Sequence, residues 1–276
     1  MKNLFEISNL KCSYNKNDIV LKINKLNIPK GKLTVILGKS GAGKSTILET
    51  LGLMNNTILS ESILNFFPKE DRNTVFQFNK IWNSKDKNPL FYIRQNYFSF
   101  IFQDTNLMPN FTAYENICIS QMIQGKSYND SVDNAKKMMD IIGLGEIGKS
   151  KKAHELSGGQ KQRLAFVRAI TPEFTVLFGD EPTGNLDEHN SRELLTILKE
   201  NLKDNNRSAI IVSHNVSLSV EFADYIVIIN KENGFGEVHD YNTYVAQYFD
   251  NIKIWKNSNN IEVKDLNITI NQIISN

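Results

Sequence analysis

Cysteine is scarce in this chain: only Cys12 and Cys118 occur among 276 residues. They stand far apart, without a metal-site spacing, so a disulfide framework and a cysteine metal site are both excluded. Two reduced thiols in a reducing compartment are expected. Long apolar runs are missing too. None approaches the about 20 residues that a bilayer span needs, and Met1-Lys2-Asn3-Leu4-Phe5-Glu6 lacks the apolar core of a secretory signal. The expected location is cytoplasmic, with any membrane role reached through a partner. Charge of one sign is absent as well: 32 basic residues against 30 acidic ones leave a net +2. That near-balance offers no polyanion-binding surface, and no nucleic-acid partner is expected. No internal repeat is found. What the chain does have is 41% apolar residues and 22% charged ones, enough for a globular core in one large or two small domains.

One stretch organises the rest. Gly38-Lys39-Ser40-Gly41-Ala42-Gly43-Lys44-Ser45 fits G-x-x-x-x-G-K-[ST]. It follows the apolar run Leu33-Thr34-Val35-Ile36-Leu37 and precedes the helix-compatible Thr46-Ile47-Leu48-Glu49. Strand, glycine loop and helix in that order make a phosphate site. Glycines let the backbone curl so that successive N–H groups face phosphate oxygens, and the helix start adds the positive end of its dipole. Lys44 supplies a charge for the β- and γ-phosphates, and Ser45 offers a hydroxyl to Mg²⁺.

Further along, Tyr97–Phe102 reads as a buried strand that ends at Gln103, a polar residue where α/β ligand sites gather. Thr175–Glu181 is an apolar strand closed by two carboxylates. Asp180 is placed to hold Mg²⁺, and Glu181 to orient or deprotonate water. Ser208–Val212 is another buried strand, followed by Ser213-His214, whose imidazole can sense a γ-phosphate. Leu156-Ser157-Gly158-Gly159-Gln160 opens a helix, where Ser157 can cap. That glycine-rich start is either a second anion-binding end or a plain structural cap. Residues 4–12 and 19–28 read as strands around the turn Asn15-Lys16-Asn17-Asp18, with Tyr14 as a surface aromatic or an adenine platform. Residues 112–124, 128–142 and 188–203 read as helices. Residues 55–97 read as strands and turns without a catalytic signature. Residues 241–276 show possible strands around 252–255 and 261–270.

Taken in order over about residues 4–240, these features resemble the ATP-binding cassette (ABC) family. Gly38–Ser45 corresponds to its Walker A loop, Gln103 to its glutamine loop and Leu156–Gln160 to its signature. Asp180 with Glu181 corresponds to Walker B, Asn185-Leu186-Asp187 to the D-loop and His214 to the switch histidine. The wording Asp180–Asp187 and Phe102–Ile117 is similar to the group of lipoprotein-releasing, macrolide- and peptide-exporting, and cell-division cassettes. The resemblance implies an α/β P-loop NTPase of the ABC type: a mixed core sheet, an antiparallel β subdomain, and a helical subdomain, about residues 104–170, carrying the signature. It implies a nucleotide-binding domain over 1–240, with 241–276 an extension of unassigned role. ATP and Mg²⁺ are the implied cofactors. Tyr14 is then the adenine-stacking aromatic, and residues from Gly38 to Thr46 (Gly38, Lys39, Ser40, Gly41, Ala42, Gly43, Lys44, Ser45, Thr46) bind nucleotide. Ser45, Gln103 and Asp180 hold the metal, while Glu181 and His214 catalyse hydrolysis. Ser157, Gly158, Gly159 and Gln160 close the nucleotide site of a second copy in a head-to-tail homodimer. The implied partner is a separate membrane permease, which would keep the chain on the inner face of the membrane. The rival reading is a soluble cassette ATPase on nucleic acid or ribosomes. Two departures stand out: residues 55–97 run longer than usual, and residues 241–276 extend past a minimal cassette.

Overall fold

The structure is a computed structural model that describes residues 2–15, 18–69, 73–232, 234–250 and 252–275. The part of the predicted turn at residues 16 and 17 lies outside the described residues. In chain order, β1 (Asn3–Ser13), β2 (Ile19–Pro29) and β3 (Leu33–Gly38) lead into α1 (Lys44–Leu51). Then follow β4 (Ile63–Phe66), β5 (Phe76–Gln77), α2 (Phe78–Asn83), α3 (Asn88–Tyr97) and β6 (Phe98–Ile101). Four helices come next: α4 (Ala113–Ile123), α5 (Tyr128–Ile141), α6 (Gly145–Gly148) and α7 (Gly158–Ile170). The chain continues as β7 (Val176–Asp180), α8 (Glu188–Asp204), β8 (Ser208–Val212), α9 (Val216–Phe222), β9 (Tyr225–Glu232) and β10 (Phe235–Val238). It finishes with β11 (Thr243–Phe249), β12 (Ile252–Asn257), β13 (Glu262–Val263) and α10 (Leu266–Ser275).

The strands join in the order β5-β4-β1-β2-β10-β9-β3-β8-β7-β6. β6, β7, β8, β3 and β9 run parallel, and each is an apolar run buried on both faces, as parallel strands covered by helices must be. β1, β2 and β4 form the antiparallel wing. This mixed α/β sheet is the architecture expected from sequence. Its parallel strands all end at one edge, and that edge carries the site.

Two cores flank the sheet. One packs Leu177, Ile211 and Ile226 against α4–α5 and α7–α10. The other packs the β1–β2 wing, α1 and an aromatic group. In that group Phe5 lies 4.9 Å from Phe66, Phe66 lies 5.2 Å from Phe98, and Phe98 lies 5.0 Å from Phe178, centroid to centroid. Phe78 joins it, fully buried.

Two expectations are corrected. Residues 55–97 are not only strands and turns: they contain α2 and α3. Phe78 with Ile81, and Leu90 with Ile93, are buried at a spacing of three, and Pro89 sits in the first turn of α3, where a missing N–H costs nothing. Likewise 261–270 is not one strand. Only Glu262–Val263 pairs, and α10 follows. Leu266 and Ile270, one turn apart, are both buried, and the burial decides against the strand preference of the Ile/Thr composition. Composition sets residues 241–276 apart, but packing does not: β11 pairs antiparallel with β9, from Thr243–Val227 to Val245–Tyr225.

Candidate nucleotide site

The site is built at the carboxyl edge of the parallel strands. β3 delivers Gly38, where a Cβ would stand 2.5 Å from the Ile229 carbonyl oxygen, so only glycine lets the chain turn here. Gly41 and Gly43 take positive φ of 70° and 86°, and Gly43 caps α1 in that left-handed form. The result is a tight glycine loop at a helix N-terminus, the kind of backbone whose amides can receive an anion. Lys44 folds back over it, its ammonium donating to Gly38 O and Lys39 O at 2.9 Å each. Burial lowers the Lys44 pKa, while the Glu181 and Asp180 carboxylates oppose that shift.

Sheet register brings in the remaining groups. Ile101 pairs with Gly179, and Asp180 with Val212, so Gln103, Asp180, Glu181 and His214 leave three adjacent strands at one level. Glu181 has a left-handed backbone, φ 49°, rare for a residue with a side chain and characteristic of sites that hold strain. Its N–H donates to Val212 O at 3.1 Å, and its Oε1 lies 2.9 Å from His214 Nε2. An ionised carboxylate only accepts, so this pair places the imidazole proton on Nε2.

These residues line one cleft of about 510 Å³. Ser40, Gly41, Gly43, Lys44, Ser45 and Thr46 form its floor, and Gln103, Asp180, Glu181 and His214 one wall. Tyr14 forms the far end, half exposed, with its hydroxyl 3.2 Å from Thr46 Oγ1 and donating to Glu49 Oε2 at 3.0 Å. Val20, Val212 and Gly234 also line the cleft and escape sequence reasoning. Val20 and Gly234 arrive only because β2 and the β9–β10 turn lie between Tyr14 and the loop. Their sole signal is an apolar residue at a strand start and a glycine in a turn.

Other predicted residues lie elsewhere. Gly38, Lys39 and Ala42 belong to the loop but do not line the cleft: Ala42 is fully buried, and Lys39 Nζ reaches out to Ser275 O at 3.3 Å. Ser157, Gly158, Gly159 and Gln160 sit apart from the cleft at the start of α7. Ser157 Oγ accepts from Gln160 N–H and Gln160 Oε1 accepts from Ser157 N–H, a reciprocal cap. Beside Gly158 there is open space, so this second helix N-terminus faces outward. Gln162 Nε2, fully buried, donates to Pro182 O at 2.7 Å and ties α7 to the turn after Glu181.

The donor set is chemically coherent for a nucleotide with a divalent cation. Ser45, Gln103 and Asp180 bring a hydroxyl, an amide and a carboxylate to one cleft, hard oxygen donors of which one is charged. Mg²⁺ is commonly held by few carboxylates, with waters and phosphate completing the shell.

The sequence model of the family described as "ABC transporter" matches residues 21–184. The chain is 31% identical over 223 residues to the lipoprotein-releasing system ATP-binding protein LolD of Rickettsia bellii, covering 78% of this chain and 90% of that one. It is 33% identical over 210 residues to the macrolide export ATP-binding/permease protein MacB of a Shewanella species, covering 76% of this chain and 30% of that protein. Among solved structures it is similar to the dimeric bacterial ABC transporter cassette MJ0796, with a TM-score of 0.70 and 28% identity over 85% of this chain and 96% of that one. It is also similar to the post-hydrolysis MJ0796 dimer bound to ADP and phosphate, with a TM-score of 0.68 and 25% identity.

Proposed function

The chain belongs to the ABC transporter family, and from that premise we propose that it is the ATP-hydrolysing subunit that drives a separate membrane permease through a head-to-tail dimer of cassettes. The observation that carries the reading is the convergence of Lys44, Asp180 and the Glu181–His214 pair in one cleft, while Ser157 at its own helix start faces away. The transporter subunits among its relatives favour this over a soluble cassette on nucleic acid or ribosomes.

The reaction is ATP plus water to ADP plus phosphate. Tyr14 stacks the base, and the amides of the Ser40–Ser45 loop cradle the phosphates. Lys44 exchanges its two loop carbonyls for phosphate oxygens. Mg²⁺ fits Ser45, Gln103 and Asp180, and when bound it neutralises phosphate charge. Glu181 accepts hydrogen-bonded water and turns its lone pair toward the γ-phosphate, while His214 holds Glu181 and the γ-phosphate in line. Ser157, Gly158, Gly159 and Gln160 of one copy close on the γ-phosphate bound by the other, which gives the outward helix end its task. Closure with ATP and opening after hydrolysis form a two-state element that a permease can read.

A cytoplasmic helix of the permease docks near residues 103–112. Supporting this, an apolar groove of about 410 Å³ begins at Phe111 and runs along Ile119, Met122 and Ile123 to Tyr128. No helix among the described residues is long and apolar enough to cross a membrane. The chain would therefore sit on the cytoplasmic face through its permease. The test is Glu181→Gln. Loss of a positioned base should slow hydrolysis by about 10²–10⁴ and trap an ATP-bound dimer of doubled mass in light scattering. Wild-type turnover in the variant would remove Glu181 from its role, and a wild type that neither binds nor hydrolyses ATP would sink the reading.

A further inference from the structure

The last ten described residues end against the phosphate loop. α10 is anchored by Leu266 and Ile270, both buried in the core that also holds α9, and Ile273 and Ile274 pack against the same core. Asp265 starts the helix, its Oδ1 accepting from Ile268 N–H at 3.0 Å. With its start capped and its middle buried, the direction of α10 is fixed and its carboxyl end falls at Lys39. There the Lys39 ammonium donates to Ser275 O at 3.3 Å.

This contact is electrostatically opposed to nucleotide binding. The carboxyl end of a helix carries its unsatisfied carbonyls and the negative end of its dipole, and it attracts cations. Here it stands beside the loop that must receive a triphosphate, and it draws the side chain of one loop lysine outward. The Lys39 backbone stays committed to the loop: its carbonyl accepts from Lys44 Nζ at 2.9 Å and from Ala42 N at 3.2 Å. Only the side chain is free to choose between two negative partners, the helix end and the phosphates.

We propose that the last turn of α10 is a positioning element for Lys39: it holds this cation off the nucleotide, so the helix end and ATP compete for it. The inference rests on the ATP-site reading and gives residues 266–275 a role in setting nucleotide affinity. Release of Lys39 adds a charge on the outer side of the loop, and binding of ATP loosens the helix end in return, because linkage between two binding equilibria is reciprocal.

The experiment is a double-mutant cycle on the full chain. One variant ends after Gln272, which removes the tip and leaves Leu266 and Ile270 in place; the other is Lys39→Gln; the third carries both. Apparent KM for ATP, kcat and equilibrium ATP binding are measured for each. Truncation should lower KM and Kd about two- to fivefold, the size of a surface cation–helix-end interaction, with little change in kcat. In the Lys39→Gln background the same truncation should change nothing. An unchanged or raised KM on truncation overturns the proposal. So does an equal effect with and without Lys39, since the tail would then act through the fold alone. Hydrogen exchange of residues 271–275 in the intact chain supplies a check free of truncation: ATP should speed it, and slowed or unchanged exchange counts against competition. Failure of the wild type to bind ATP would instead defeat the site reading.

Discussion

Gly236 tests whether the phosphate loop is held rigidly from behind. β10 places Gly236 opposite Lys231 of β9 and Leu21 of β2, so it is paired on both sides and cannot shift sideways. A Cβ added there would stand 1.9 Å from Ala42 O, 2.9 Å from its carbonyl carbon and 3.0 Å from Ile229 Cγ2. Real Cβ contacts essentially never fall below 3.0 Å, so against 1.9 Å the two backbones must part by about 1.1 Å. Gly236 is outside the positive-φ residues, so the penalty of Gly236→Ala is a collision and not a backbone preference. Two outcomes of that collision have known sizes. A displacement of about 1 Å at a site that positions reacting groups costs up to about 10² in rate, and overpacking costs about 1–3 kcal/mol of stability. The expectation is a fall in kcat/KM of about two orders of magnitude, with a thermal midpoint lowered but cooperative unfolding retained. ATPase kinetics and calorimetry of the purified variant measure both. Gly125→Ala is the control: its φ is +90° but a Cβ meets nothing within 4 Å, so it should lose about 1 kcal/mol and keep its turnover. A Gly236→Ala protein hydrolysing ATP at the wild-type rate would refute the reasoning, since the loop would then tolerate an ångström of movement.

Ser157→Trp should abolish turnover while ATP binding to the monomer stays within about twofold, because Ser157 lies outside the cleft; equal loss of both would count against a role in the partner's site. Phe78→Ala should cost about 3–5 kcal/mol in urea unfolding, since Phe78 is fully buried among Phe5, Phe66 and Phe98; a loss under 1 kcal/mol would show that the 55–97 segment is not part of the core. Lys253 donates to Val220 O, Glu221 O and Ala223 O at the end of α9, and burial first, then Lys199, lower its pKa to about 8 against the opposing Asp224 and Glu221. Between that value and the ordinary lysine range the unfolded chain holds more protons, so stability should rise with pH from about 8 to 10.5, by up to about 3 kcal/mol. Urea unfolding of wild type and Lys253→Met at pH 7.5 and 9.5 checks this, and equal slopes would refute it.

The phosphate loop is legible in the sequence because its chemistry demands a fixed spacing between glycines, lysine and hydroxyl, all within eight residues. The strands β3, β7, β8 and β9 are legible because burial on both faces leaves continuous apolar runs. α2 is harder: Phe76 and Phe78 read as strand-forming aromatics, and only Ile81 completes a helical face. α10 is hidden for a related reason. Its Ile and Thr residues are β-branched, and the local preference is overridden by burial of Leu266 and Ile270 against α9 and β9, contacts that sequence does not display. Val20 and Gly234 enter the cleft through long-range strand order alone. Nothing in the wording around them could place β2 and the β9–β10 turn between Tyr14 and Gly41.

On the proposed reading, Lys44 and Glu181 divide the work of the site. Glu181 is already oriented: strand register, the Val212 carbonyl and His214 hold it within hydrogen-bonding distance of its partner. Lys44 donates its ammonium hydrogens to two loop carbonyls. On the reading proposed above, nucleotide binding would exchange these bonds for phosphate oxygens, at a modest net cost because hydrogen bonds are exchanged and not lost. Glu181, as the proposed base, would need no such rearrangement. A second set of donors on the γ-phosphate would then come from the partner copy, because the Ser157 end of α7 is turned outward and its hydroxyl is held by the Gln160 amide. On the proposed reading, a monomer built this way is expected to bind ATP and to hydrolyse it slowly. On that reading, the step left for a permease to control would be the arrival of the partner's α7, and not the chemistry of Glu181.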